Sequence, residues 1–281
     1  MEPRSLVHIL NLPKRERFAV MAEGLTLLAE HIGTLHTDLD RLRDQGRQRA
    51  MAAIDVLASE EAAKVLILLD VARMGWGDQE AVDRQLKRFY NHLARGIYTR
   101  VVDGRPADFA EVRRYVDGLR QSHFLDGPND VDWIFRNEVL AAREDSLYVD
   151  YLSAEGGDYW ATPASRDDIM ISQPSMIIRL VTALDRMGCL SMDGLQIIEA
   201  VWRGQTIEDE TRWHVIEDLN QKVVDQLAQR GLVKDGATDD DAYLVYQQWT
   251  FPLGHMDLHQ TEVKRAELLA RRNRWLADQE W

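Results

Sequence analysis

From Pro13 to Leu42 the apolar residues Phe18, Met21, Leu25, Leu28, Ile32, Leu35, Leu39 and Leu42 recur at steps of three or four, with no proline inside the run. That period is helical, and so long an apolar stripe requires an equally long partner. Pro13 suits a first helical turn, where its missing N–H costs nothing. Beyond Gly46 the stretch GRQRAMAAIDVLASEEAAKVLILLDVARMGW supplies the partner. Met51, Ile54, Leu57, Ala58, Glu61, Val65, Leu68 and Leu69 lie along one side, and Leu66 and Ile67 widen the apolar surface. The pair reads as a helical hairpin, with the second helix at the centre of a bundle. With only 7 prolines and 17 glycines in 281 residues, the reading for the whole chain is an all-α fold.

Further helices are predicted over 78–101, 109–122 and 131–152, the last carrying Trp133, Ile134, Val139, Leu140, Leu147, Tyr148 and Tyr151. A DGRPAD turn ends the first of these, and the loop Asp126 to Asp130 supplies an N-cap for the last. The stretch Ser153 to Ser175, with Gly156, Gly157, Pro163 and Pro174, is the best boundary in the chain. It divides a helical domain over 1–155 from a linker at 156–175 and a C-terminal helical region over 176–281. In that region helices are predicted over 176–187, 192–202, 210–230 and 257–278, with a short β-hairpin near 232–251. Helices followed by a hairpin resemble a winged helix. The tip, with Asp239, Asp240 and Asp241, is too acidic for a DNA-contacting wing.

Asp and Glu number 47 against 34 Lys and Arg, a formal charge of −13, and hydrophobic residues make up 45%. That balance excludes a disordered chain and disfavours nucleic-acid binding over the whole surface, while leaving room for a local basic site. The single cysteine, Cys189, excludes an internal disulfide framework and a multi-cysteine zinc site, and its neighbours Met187 and Leu190 mark it as core. No unbroken apolar run reaches about 18 residues, and the N-terminal apolar stretch is too short for a secretory signal. The expectation is a cytoplasmic protein without a membrane span. His255, His259 and Glu262 would share a helix face at zinc-like spacing, but no Glu follows His255 and Gly254 precedes it. With no glycine-rich phosphate loop and no G-x-S-x-G, neither a metal nor a cofactor is expected.

Three constellations could carry chemistry. In Ser59-Glu60-Glu61-Ala62-Ala63-Lys64, Lys64 is within ion-pair reach of both glutamates, and Glu61 falls on the apolar stripe, where a charge needs a partner in the bundle. A structural buried pair and a site component both fit. The segment Arg84 to Arg105 has six basic residues against Asp103 alone, with Phe89, Tyr90 and Tyr98 interleaved. Within it Arg88, His92 and Arg95 are three or four apart, a cationic face holding one imidazole. Such a face suits phosphodiester chemistry, or else is a solvated basic surface. In Arg143 to Tyr151, Tyr148 and Tyr151 lie one turn apart, and taken alone packing is the favoured reading.

The order GRQRAMAAIDVLASEEAAKVLIL, RFYNHLAR, AREDSLYVDYL over residues 15–165 resembles the AbiV family of bacterial abortive-infection proteins, within the HEPN superfamily. The elements that carry the resemblance are Glu60-Glu61-x-x-Lys64, His92 and Leu147-Tyr148-Val149-Asp150-Tyr151. It implies a HEPN-like antiparallel helical bundle, a homodimer, a role in antiphage defence and metal-independent endoribonuclease activity. RNA is then the substrate, and a phage-encoded or host protein the trigger. The superfamily signature is Arg, four to six residues, then His. Its arginine binds the scissile phosphate and its histidine assists attack by the ribose 2′-hydroxyl, help typically worth ~10²–10⁴-fold.

None of the eight histidines has an arginine at that spacing. Arg88-x3-His92 is one residue short, Lys87-x4-His92 has the wrong cation, and Arg143-x4-Tyr148 puts a poor base where histidine would stand. A rearranged site would bring Glu61, Lys64, His92, Arg143 and Tyr148 together. His92 would be the acid/base, Arg143 and Arg88 the phosphate binders, and Tyr148 a donor or orienting group, with Glu61 and Lys64 setting the electrostatics. Arg88, Arg95 and Lys87 would also line the RNA path. The alternative is a non-catalytic interaction module in which the same polar residues fix helix register. A constellation open to a cleft favours the first reading and one closed to solvent the second.

Overall fold

Gly46, at φ +65°, turns the chain between two long helices, α1 (Lys14–Asp44) and α2 (Gln48–Met74). A 3-10 helix, Leu6–Asn11, precedes them, and Pro13 stands at the N-cap of α1. In the computed structural model the described residues are 5–124, 135–152, 159–163, 175–261 and part of 263–277. They include α3 (Gln79–Arg88), α4 (His92–Val102), α5 (Phe109–Arg120), α6 (Glu138–Leu147), α7 (Met176–Arg186), α8 (Met192–Trp202), α9 (Trp213–Gln229) and α10 (Asp239–Gln248). Two short antiparallel ribbons complete them: β1 (Ser122–Phe124) with β2 (Phe135–Asn137), and β3 (Asp150–Leu152) with β4 (Tyr159–Ala161). The fold is all-α with short β-hairpins.

Packing explains the composition of α2. α1 lies along one side of it, α4 and α6 along another, and α7 and α8 along a third. Val65 through Arg73 are therefore buried without interruption, as expected of a helix enclosed on all sides. α1 buries only the stripe Phe18, Met21, Leu25, Ile32 and Leu39. Although Glu23 and Glu30 interrupt its apolar residues, α1 is long and apolar enough, by length and composition, to cross a membrane. Its mean hydropathy reaches that level because Glu23 and Glu30 are diluted by alanine, glycine and leucine.

Local capping chemistry overrides several sequence expectations. The single helix over 78–101 is two, because the Asn91 side chain accepts from the Ala94 N–H and starts α4 afresh at His92. The helix over 131–152 spans only Glu138–Leu147: Asn137 caps it after β2, and β3 follows. Trp133, Ile134 and the 125–130 loop lie outside the described residues. The linker at 156–175 contains β4, while 153–158 and 164–174 are outside the described residues.

The hairpin near 232–251 is instead helix α10. Thr238 and Asp241 form a reciprocal capping box, and Asp239, Asp240 and Asp241 occupy the first turn, where the helix dipole favours acids. The acidic run is a helix start rather than a turn. Of the helix over 257–278, residues 257–261 are not helical and the rest is described only in part.

The helices after the linker share one hydrophobic core with those before it. Two buried arginines near the ends of α2 and α3 join the halves. Arg73 donates to the Thr250 carbonyl (2.7 Å) and to Asn220 Oδ1 (3.0 Å), its guanidinium lying against the rings of Trp249 and Trp202. Burial pulls its pKa down to about 10, against the opposing pull of Asp70. Asp70, raised by burial and held back by Arg73, accepts from the Tyr98 hydroxyl (2.6 Å) and the Leu253 N–H (2.8 Å). Arg88 donates to the carbonyls of Leu253 (2.9 Å), Gly254 (3.1 Å) and Met256. The extended segment from Trp249 to Met256 has no helix to satisfy its own carbonyls, and these arginines do so.

Candidate functional site

Glu60 on α2 gathers the site. Its side chain is 9% exposed, and both oxygens face His92 Nδ1, at 3.1 and 3.0 Å. Arg95 Nη1 lies 3.3 Å from Oε2, and Arg143 Nε donates to Oε1 at 2.8 Å. Three helices supply these groups. α4 presents His92 and Arg95 three residues apart from its first turn, and α6 presents Arg143. The two helices come close because Gly96 faces Val139, where a Cβ on Gly96 would stand 2.2 Å from Val139 Cγ1.

The tautomer follows from the contacts. Nδ1 cannot both donate to Glu60 and accept from Arg95 Nη2, which is 2.8 Å away. The carboxylate, with two oxygens in range, claims the Nδ1 proton. Nε2 is then the lone-pair nitrogen, with Arg95 Nη2 at 3.3 Å as a donor to it. Burial lowers the pKa of Arg95, as does Arg143, while Glu60 and Glu61 oppose the shift. Arg143 uses only Nε on Glu60, so among the described residues its two terminal nitrogens make no hydrogen bond.

The cluster opens onto a cleft of roughly 150 Å³ between α2, α4, α6 and the start of α7. Glu60, His92, Arg143 and Arg100 line it, together with Ser59 and Ser175, whose hydroxyls are 2.9 Å apart. The His92 side chain is 46% exposed and that of Arg143 20%, against 8% for Arg95. The imidazole therefore sits at the mouth, with two arginines beneath and beside it. Such an arrangement can bind an anion and exchange a proton with it.

Of the expected site residues, His92, Arg95 and Arg143 are together. Glu61 and Lys64 instead pair with each other at 2.5 Å, with Lys64 over the Phe89 ring. Glu61 touches the cluster only through its field at Arg95. Glu61 lies on the apolar stripe of α2, but α2 is covered on the α4 and α6 side as well, and the glutamate buried there is Glu60. Tyr148 caps α6 with its ring 52% exposed, and its hydroxyl makes no hydrogen bond among the described residues. The break at Asn91 takes Arg88 off the His92 face and into the core, so it is no phosphate binder. Lys87 is exposed and paired with Asp83 at 2.6 Å.

His255 and His259 lie outside any helix. His259 Nδ1 is 2.7 Å from Asp257 Oδ1, and no His/Cys/Asp/Glu group able to hold a metal occurs among the described residues. No family model, curated protein or solved structure matches the chain.

Proposed function

We propose that the chain is an AbiV-like protein of the HEPN superfamily acting in antiphage defence, a metal-independent endoribonuclease whose acid/base group is His92. The supporting observation is the exposure pattern: a half-exposed imidazole, oriented by a buried carboxylate, at the mouth of a cleft that also holds Arg143, whose terminal nitrogens make no hydrogen bond among the described residues. With Nδ1–H held by Glu60, Nε2 takes the proton of a ribose 2′-hydroxyl as that oxygen attacks the adjacent phosphorus. The bond to the 5′-oxygen breaks, and the leaving oxygen recovers a proton. Arg143 neutralises the charge growing on the phosphoryl oxygens, the larger contribution to such a step. Glu60 stabilises the imidazolium that forms transiently. The products are a 2′,3′-cyclic phosphate and a 5′-hydroxyl. In this reading the protein works as a cytoplasmic homodimer, held inactive until a phage-encoded or host protein triggers it.

The experiment is RNA integrity in cells induced for wild type or His92→Ala, with and without phage. Fragmentation in the wild type alone supports the proposal. Intact RNA everywhere, with defence retained by His92→Ala, refutes it. A second reading, a non-catalytic interaction module, is favoured by one surface: Tyr148, Val149, Tyr151, Tyr159 and Trp160, around the β3–β4 ribbon, are each more than half exposed. Aromatic surface of that kind is enriched at protein interfaces.

A further inference from the structure

We infer that the β3–β4 ribbon is a base-stacking subsite for the strand cleaved at His92, and that Arg100 binds a backbone phosphate of the same strand at the opposite end of the cleft. The inference rests on the ribonuclease reading and adds to it the residues that hold the substrate on either side of the reacting phosphate.

Helix geometry sets the line. Gly96 faces Val139; four residues back on α4, His92 meets Glu60, which Arg143 binds four residues further on in α6. The two helices therefore run antiparallel, with His92 and Arg143 at one level. Arg100 stands eight residues beyond His92 on α4, about 12 Å along the axis, and lines the same cleft. In the opposite direction Tyr148 stands five residues beyond Arg143, about 7.5 Å along α6, and the β3–β4 ribbon follows it. Arg100, the His92–Arg143 level and the aromatic surface thus occur in that order along the two helices.

Chemistry assigns the two ends. Unlike Arg95, which Glu60 holds, Arg100 makes no hydrogen bond or ion pair among the described residues, and Asp103 reaches it only through its field. Its guanidinium is too far from His92 to share the scissile phosphate, so it meets another phosphate of the same strand. Asp55 and Asp103 also line the cleft, which therefore has no cationic excess. Phosphate attraction alone holds a strand there weakly, and affinity has to come from beyond the cleft.

The ribbon supplies it. Tyr151 and Trp160 are directly opposite each other across the two strands, so their rings share a face, with centroids 5.2 Å apart and planes at 55°. Trp160 is 70% exposed and Tyr151 56%, which leaves ring surface open for bases to stack on, whatever their sequence. Glu144, Asp145 and Asp150 flank the ribbon and repel phosphates but not uncharged bases, so the ribbon meets bases rather than backbone. Bases in a duplex are already stacked and paired, so this subsite takes an unpaired strand.

The test uses purified full-length protein and a labelled 2′-fluoro oligoadenylate, which lacks the attacking hydroxyl and cannot be cleaved, read by fluorescence anisotropy. The single strand is expected to bind, and its duplex with oligouridylate to bind at least about tenfold more weakly. Tyr151→Ala combined with Trp160→Ala weakens the single strand by about tenfold or more, with the unliganded melting temperature kept. Arg100→Gln weakens it severalfold and lowers the slope of log affinity against log salt by about 0.7. No binding of the single strand, equal affinity for the duplex, or affinity indifferent to the ribbon or Arg100 substitutions overturns the inference. Loss of phage defence in Trp160→Ala with oligonucleotide affinity unchanged also overturns it, and assigns the ribbon to a protein partner. The ribonuclease reading fails separately. Binding with the expected pattern but no cleavage of unmodified RNA removes the reaction and keeps the subsite, whereas His92-dependent cleavage with unchanged binding in these variants keeps the reaction and removes the subsite.

Discussion

His92 Nδ1 lies 3.0 Å from Glu60 Oε2 and 3.1 Å from Oε1, so one buried carboxylate orients an imidazole that is itself half exposed. The two residues therefore answer differently to substitution. Glu60→Gln strips Arg95 and Arg143 of their shared counter-ion inside the bundle, and should cost about 3 kcal/mol of stability. His92→Ala removes an exposed ring and should leave the melting temperature nearly unchanged. Thermal unfolding of the two variants checks the difference; equal destabilisation would mean that His92 is a structural residue.

Gly96 sets the distance between α4 and α6, and thus between His92 and Arg143. A methyl group at Gly96 meets Val139 Cγ1 at 2.2 Å, so Gly96→Ala is expected to destabilise by about 1–3 kcal/mol through overpacking. Adding Val139→Ala should recover most of that loss. Denaturant unfolding of the double-mutant cycle measures the coupling, and simple additivity would contradict it.

Arg88 closes the core rather than the cleft. Arg88→Met leaves the carbonyls of Leu253, Gly254 and Met256 without their donor and should lower stability by about 3 kcal/mol. Hydrogen exchange should quicken over the segment around 250–258 while protection at α4 and α6 holds. Loss of protection centred on the His92 cleft would instead restore Arg88 to the site.

Cys189 is fully buried, and burial raises its thiol from 9.0 to about 12. The unfolded chain releases this proton near pH 9 and the folded chain does not, so above pH 9 the folded state binds more protons and stability falls as pH rises. Relative to Cys189→Ala, wild type should lose about 1.4 kcal/mol per pH unit between pH 9 and about 12. Urea unfolding at pH 7.5 and 10.5 measures it; parallel losses in both proteins would show that the thiol titrates normally.

The helical hairpin of α1 and α2 was legible because period and punctuation agree: the apolar steps continue to Leu42, and Gly46 follows. Where the sequence misled, a cap decided the outcome. Asn91 breaks a helix with neither proline nor glycine, and Thr238 with Asp241 starts one where aspartates and β-favouring residues resemble a hairpin. Both signals are present as N-x-x-A and T-x-x-D, which local reading can find. His92 and Arg143 were legible as residues of the right chemistry, 51 positions apart. Their meeting point was not, because choosing Glu60 over Glu61 requires knowing that α4 and α6 cover the second side of α2. Nor does a sequence pattern place Arg100 and the β3–β4 ribbon on either side of His92.

The most direct measurement is cleavage of a labelled single-stranded RNA by purified protein in EDTA, comparing wild type, His92→Ala and Arg143→Ala with the trigger present as lysate from phage-infected cells. The account expects wild type to yield 2′,3′-cyclic phosphate ends, with both variants reduced at least about a hundredfold while remaining folded. Cleavage that persists undiminished in His92→Ala, or defence that persists in it without any cleavage, would contradict the account.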